Sequence, residues 1–595
     1  IVFYMDPLFP ELWKEPLREG VMRWNKAFEK IGFKNVMQAK DFPMDDPEFD
    51  PDNLKYSCIR YAPIDVANGM GPSWTDPRTG EIINASVYIY HDVIKLVNDM
   101  RFVQTAQVNE RVRTKKLPQD ILDESLNYVI AHEVGHCLGL MHNMGASSSY
   151  PVDSLRSASF TQKYGTTPSI MDYARNNYIA QPGDKGLRLT PPNIGVYDFY
   201  AIKIGYQPIP EAKTAEEENA IVRGWIAEKA GDPMFRYGKQ QLQAVYDPSA
   251  LMEDLGDDAV KAGEYGIKNL KYILEHVNEW MDKEDPNFDY RINIYGEIVN
   301  QCFGYLYNAL MNIGGFYLNE HEVNDPRPSF AVVPKEKQKQ SLRFLIKNLQ
   351  QLEWLDNPQV TENLRVSSPR SERLVKNFAA ALLVNTKKIS LGEYRDPNSY
   401  SSQEYLNDLH ALVWEPTIKG KNLSAAVQRK SVFHNIVLSS GFFPLHCRGR
   451  SRVHGGRCHC LENQCDDHGH HAVYQSGEFF PGNCAGNDPA GTVAAGQYRH
   501  ISSAKGAQPM IIPGFTKTYG RNRVLNFPGM EFTPGKIYGV LGANGSGKST
   551  FSKILAGIVP ADEKLAPVSQ VGYLPQKPYG FRMSVKKNLL LGGGT

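Results

Sequence analysis

Residues 131–145 read AHEVGHCLGLMHNMG and gather three of the chain's 15 histidines into one short stretch. His132 and His136 are four apart, so on a helix both imidazoles face one side and can aim a ring nitrogen at a single ion. A straight helix offers no third ligand at the angle a tetrahedral ion needs. Gly139 answers this, because glycine adopts the positive φ that ends a helix and turns the chain. His142 can then return to the same point. Three nitrogens at about 2.0–2.1 Å suit zinc and leave a fourth position for water, the pattern of a catalytic site and not of a structural one. Glu133, beside the first histidine, is placed to act on that water as general base.

A second stretch, VLGANGSGKST, belongs to different chemistry. Gly542, Gly547, Lys548 and Ser549 have Walker A spacing, with Asn544, Gly545 and Thr550 in the same loop. Its glycines let backbone N–H groups wrap phosphates, Lys548 neutralises the β- and γ-phosphates, and Ser549 reaches Mg²⁺. KIYGVL before it predicts a strand and STFSKILAGI after it a helix, the context the motif requires.

Other elements must position these residues. PQDILDESLNYVIAHEVGHCLG predicts one long helix, with Pro118 and Asp120 at its start and Gly139 at its stop. PLREGVMRWNKAFEKIGF predicts an amphipathic helix with Val21, Trp24, Ala27, Phe28 and Ile31 on one face. LKYSCIRYAPI predicts a strand, and EIINASVYIYHDVI another with Ile83, Ala85, Val87 and Ile89 on one face. The expected division is a compact mixed domain over 1–208, a mainly helical accessory domain over 209–430, an irregular segment over 431–508 and a P-loop α/β segment over 509–595. No catalytic constellation is legible between 211 and 430.

The pattern H-E-x-x-H-x-x-G-x-x-H over residues 132–142 resembles the zinc signature of the metzincin metalloproteases at every position. PSIMDYA then resembles the clan's Met-turn. The resemblance implies an α+β catalytic domain with a mixed twisted sheet and a zinc-binding helix. It implies Met171 as a hydrophobic floor under the histidines, and Tyr173 as a zinc ligand or stabiliser of the tetrahedral intermediate. GPSWTDPRTGEIINASVYIY and LTPPNIGVYDFYAIKIGY are similar to Bacteroidetes-type zinc-dependent metalloproteases with an EcxA-like zinc-binding domain, over about residues 1–430. That likeness implies an extracytoplasmic location, a peptide or protein substrate, and residues 84–90 as the strand that pairs with it. Asn143 is not the residue found after the third histidine in the best-known subfamilies. The P-loop region resembles the start of an ABC transporter ATPase. Tyr519 stands where an adenine-stacking aromatic lies and Gln576 at the Q-loop, so ATP with Mg²⁺ is the implied ligand there. No Walker B acid or signature loop follows, and this segment is expected to be inactive.

Cys447, Cys458, Cys460, Cys465 and Cys484 crowd the segment between the two resemblances, whereas Cys58, Cys137 and Cys302 read as unpaired core thiols. The crowded segment has lost hydrophobic periodicity. It reads as a disordered or out-of-frame junction, with a true metal site as the alternative. The start, IVFYMDPLFP, lacks an initiator Met and a charged-then-apolar leader, which reads as a fragment missing its N-terminal region. A net charge of +1 gives no electrostatic argument for a nucleic-acid partner or a membrane surface, no nucleic-acid partner is expected, and no run of apolar residues is long enough to span a membrane. The reading is therefore a zinc-dependent endopeptidase. A nucleotide-binding transport component and a non-catalytic zinc-bearing module are the alternatives.

Overall fold

The computed structural model describes residues 1–242, 244–320, 325, 327–363, 368–418, 500–501, 510–519, 522–532, 538–539, 548–555 and 559–563. The Cys/His-rich junction, apart from two residues at its end, lies outside these, as do Gly542, Asn544, Gly545, Gly547 and Gln576. The chain divides into two compact units, 1–483 and 484–595.

In the first unit the strands β1 (Val2–Met5), β2 (Gln38–Asp41), β3 (Ser57–Ala62), β4 (Gly69–Met70) and β7 (Val87–Tyr90) form a sheet in the order β2-β1-β3-β7-β4. All pair in parallel except β4, which runs antiparallel on the edge, with Met70 opposite Tyr88. A hairpin, β5 (Ser73–Thr75) with β6 (Ile82–Ala85), precedes β7. The single strand expected over EIINASVYIYHDVI is thus two, in different sheets. Ser86 breaks it: its backbone N–H goes to the Pro72 carbonyl and its Oγ accepts from the Cys58 N–H. Ala85, Val87 and Ile89 are buried as expected, but Ile83 is 55% exposed.

The expected N-terminal helix is also two, α1 (Glu11–Met22) and α2 (Asn25–Lys30), and its predicted apolar face is buried throughout. α4 (Gln119–Cys137) starts after Pro118 and ends before Gly139, whose φ of +84° turns the chain. Phe3, Met5, Leu17, Trp24, Ile59, Val87, Ile130 and Val134 form one apolar core between sheet, α1 and α4. The Trp24 indole N–H also donates to the Ala131 carbonyl at 2.9 Å, pinning α4 one residue before His132.

The apolar faces of α3 (Val93–Thr105), α8 (Ala259–Met281), α9 (Asp289–Met311), α10 (Lys335–Leu349) and α12 (Arg370–Val384) build a second core. Helices α5 (Ala158–Tyr164), α6 (Val196–Tyr206), α7 (Ala215–Glu228), α11 (Pro358–Thr361), α13 (Thr386–Arg395) and α14 (Ser402–Ile418) and the hairpin β8 (Phe316–Leu318) with β9 (Phe330–Val332) complete the unit. Among the described residues from 209 to 418 helices predominate. Cys58, Cys137 and Cys302 are free and buried.

The second unit holds the pair β10 (His500–Ile501) and β13 (Tyr538–Gly539), a long hairpin of β11 (Met510–Tyr519) with β12 (Asn522–Phe532), and α15 (Lys548–Leu555). The strand and helix expected around the P-loop fall at β13 and α15. Among the described residues no helix is long and apolar enough to cross a membrane.

Candidate metal centre

α4 and the turn after it bring His132, His136 and His142 to one point. Their candidate ligand atoms all lie within 4.8 Å of one another. His142 Nε2 is 3.2 Å from His132 Nε2 and 3.1 Å from His136 Nε2. The turn depends on Gly139: its N–H bonds the His136 carbonyl and the Leu140 N–H bonds the Gly135 carbonyl, a helix stop that a positive φ makes possible.

The second ring nitrogen of each histidine faces an oxygen. His132 Nδ1 lies 2.6 Å from the Ile170 carbonyl, His136 Nδ1 2.8 Å from the Leu140 carbonyl, and His142 Nδ1 2.9 Å from Gln240 Oε1. All three partners are acceptors, so each Nδ1 carries the proton. All three Nε2 atoms are then bare lone pairs. Three lone pairs facing one another repel unless a cation lies between them. Ligands at about 2.0–2.1 Å and tetrahedral angles stand roughly 3.3–3.4 Å apart, close to the spacing found. The donor set therefore fits zinc. Burial holds all three imidazoles below their ordinary pKa, with the neighbouring imidazoles adding to the effect at His132 and His142; at His142 it falls to about 4. Neutral rings are the form a metal takes.

Glu133 is 9% exposed and lies under the edge strand β4. Burial pushes its carboxyl up to about 8, opposed by the Arg175 charge and by a hydrogen bond from the Gly71 N–H. The free edge beside Glu133 belongs to Gly69–Met70. Residues 87–90, expected to form that rim, lie inside the sheet between β3 and β4, and residues 84–85 pair with β5.

Met171 is buried and its sulfur sits against Gly135, one residue before His136; a Cβ on Gly135 would meet it at 2.3 Å. Only glycine permits so close a floor. The Tyr173 ring packs on His142 at 4.7 Å and on His132 at 5.5 Å between centroids, with the Arg175 guanidinium on its face.

Several residues that hold this geometry carry no sequence signal. Asp198 of α6, fully buried, accepts from Ser169 Oγ and from the Ile170 and Gly195 N–H groups. It fixes Ile170, the residue whose carbonyl orients His132. Asn143, also fully buried, bonds Met171 through its backbone and the Arg236 carbonyl and Gly238 N–H through its side chain. That side chain clamps segment 236–240 onto the third histidine's loop and so delivers Gln240. A region in which no catalytic constellation was legible thus supplies a partner to the metal centre.

In the second unit Lys548 and Thr550 lie in α15, Ser549 between them, and Tyr519, an exposed residue, closes β11.

A buried helix carrying two histidines, a third returned by a turn, and a glutamate beside the first define a zinc metalloprotease. The Met-zincin family model matches residues 114–421, more than half of the chain, and the chain belongs to that family. An ABC transporter model matches residues 525–583. No solved structure matches the chain.

Proposed function

We propose that this chain is an endopeptidase whose zinc is held by Nε2 of His132, His136 and His142 and whose general base is Glu133. The convergence of three bare Nε2 lone pairs, each fixed by a protonated Nδ1 on an oxygen acceptor, carries this reading. When bound, zinc supplies a Lewis acid that polarises the scissile carbonyl and acidifies water. With a cation at the three histidines favouring its ionised form against the effect of burial, a Glu133 carboxylate oxygen takes the proton of the attacking water and returns it to the leaving amine nitrogen. The Gly71 N–H holds that carboxylate in place. The open edge of β4 takes an extended substrate by strand addition. Tyr173, beside two of the ligands, donates its O–H to the oxyanion as it forms. Met171 acts as the Met-turn floor that keeps α4 at a fixed height.

The C-terminal ABC transporter match is assigned ATP with Mg²⁺ as ligand, at Lys548, Ser549 and Thr550, and no share in peptide hydrolysis. The family likeness suggests an extracytoplasmic setting for the peptidase.

The test compares wild type, Glu133→Gln and His136→Ala for zinc content and for cleavage of a peptide library, with and without Mg-ATP. Wild type should carry one zinc. Glu133→Gln should keep it and lose at least about 10²-fold in rate, and His136→Ala should lose the metal. Nucleotide should change nothing. Zinc-loaded wild type that cleaves no peptide would turn the reading towards a zinc-bearing binding module.

A further inference from the structure

A cleft opens from His132, Glu133 and Tyr173 and runs back along α4. Its wall follows one helical face, through Tyr128 to Glu124, eight residues before His132. At 1.5 Å per residue that is about 12 Å. The facing wall is an apolar strip of α3, namely Val93, Leu96, Val97 and Met100.

The far end is cationic, with Arg23, Arg101 and Arg188 lining it beside one carboxylate, Glu124. Glu124 is already engaged: one oxygen pairs with Arg101 at 2.6 Å and the other accepts from Thr190 Oγ1 at 3.0 Å. Arg23 and Arg188 are left with neutral partners. Arg23 Nη1 donates to the Asn193 carbonyl at 3.3 Å, and Arg188 Nη2 to Asn193 Oδ1 at 3.1 Å. Arg188 Nε reaches only Thr190 Oγ1, at 3.3 Å. Among the described residues neither guanidinium has a carboxylate within 4.0 Å. Two cations are thus anchored side by side on one asparagine, in a partly buried place. Burial first and Arg188 second lower the Arg23 pKa to about 10, against the pull of Glu124 and Glu19; burial also lowers Arg188, with Glu124 opposing and Arg101 adding to the effect. At the mouth of the cleft Arg175 is paired with Glu253 at 2.9 Å and is not part of this surplus.

We infer that this cleft is a specificity pocket for a substrate residue next to the scissile bond, and that it selects an apolar stem ending in a carboxylate, glutamate above all, held by Arg23 and Arg188. The inference rests on the peptidase reading. The apolar walls take the methylenes, and the two guanidiniums supply charged N–H donors for the carboxylate. A lysine or arginine side chain would add a third cation to the same end and is excluded.

The test uses full-length, zinc-loaded protein and short peptide hydroxamates, whose hydroxamate anchors on the metal and is not cleaved. The hydroxamates are C-terminally amidated and differ in the side chain next to the anchor: that of Glu, Gln, Leu or Lys. Dissociation constants come from calorimetry. The Glu compound should bind at least about 10-fold more tightly than the Gln compound, as a charge-assisted pair requires. Arg188→Met and Arg23→Met should each pull that ratio towards one with zinc content retained, and Arg188→Lys should keep part of it.

Equal binding of the Glu and Gln compounds, or a ratio that survives both Met variants, overturns the pocket assignment alone. A Leu hydroxamate with a free C-terminal carboxylate that outbinds the amidated Glu compound moves the anion to a chain terminus and overturns the side-chain assignment. Failure of every hydroxamate to bind zinc-loaded protein overturns the pocket together with the peptidase reading.

Discussion

Replacing Gln240 with leucine removes the acceptor for His142 Nδ1 and nothing else near the metal. The partners of His132 and His136 are backbone carbonyls, which no substitution deletes, so Gln240 is the one orienting group among the three that mutation can reach. Orienting partners of metal-bound imidazoles are worth about 10–100-fold in affinity, or roughly 1.4–2.7 kcal/mol. Two features place Gln240 near the lower end. It is half-buried, so water can partly replace it. Segment 236–240 is also held independently by Asn143, so the backbone does not follow the lost side chain. The expected loss is therefore about 10- to 30-fold. Gln240→Glu restores an acceptor and adds a negative charge beside a ring that donates to it, and should bind zinc at least as tightly as wild type. Zinc affinity is read by competition with a chromophoric chelator at neutral pH, with circular dichroism as a check on folding. A leucine variant that is folded and within about twofold of wild type would refute the reasoning, as would a glutamate variant that binds as weakly as leucine.

Tyr173→Phe should lower kcat by up to about 10²–10³-fold with little change in KM, as for other lost oxyanion donors; steady-state kinetics on one peptide decide it, and an unchanged kcat returns the ring to packing alone. Asp99, on α3, is 5% exposed, accepts from Asn293 through one oxygen and has no partner for the other. Burial raises its pKa to about 6, so its contribution to stability is whole below about pH 4 and is lost as pH rises through 6. Asp99→Asn should therefore be more stable than wild type at pH 8 by about 1–3 kcal/mol and equal to it near pH 4; urea unfolding at the two pH values tests this, and a less stable variant at pH 8 contradicts it.

The convergence of the three histidines was legible because it is local. Two histidines one turn apart, a glycine to stop the helix and a third histidine beyond it need nothing from the rest of the chain. What orients them was not legible. The Ile170 and Leu140 carbonyls belong to residues whose side chains are irrelevant, and Gln240 sits in RYGKQQ, a stretch with no periodicity. Each matters only through where the chain returns, and no local pattern encodes that. The substrate rim shows the same limit. Alternation in EIINASVYIYHDVI announces strands, but the neighbour that covers Val87–Tyr90 is Gly69–Met70, too short and too glycine-rich to register as a strand. Helix breaks failed similarly: the apolar face from Val21 to Ile31 continues across the junction of α1 and α2, and burial sees one face where the backbone makes two helices.

The contacts that cross residue 208 explain why chemistry confined to residues 132–173 comes with a helical region of greater length. Arg236 lies at the centre. Its guanidinium pairs with the buried Asp247 at 2.7 Å and donates to Ser148 Oγ, Ser249 Oγ and the Leu318 carbonyl, while its own carbonyl accepts from Asn143. A charge so nearly removed from water is tolerated only with its partners in place, so the hub forms whole or not at all. One end of it is the hairpin β8–β9, packed on the helical core, and the other is the loop that carries His142. Helix packing far from the metal therefore bears on whether the third ligand is present at the right angle. The histidines and the helices that hold their loop are thus joined by contacts, although only the first part names its chemistry.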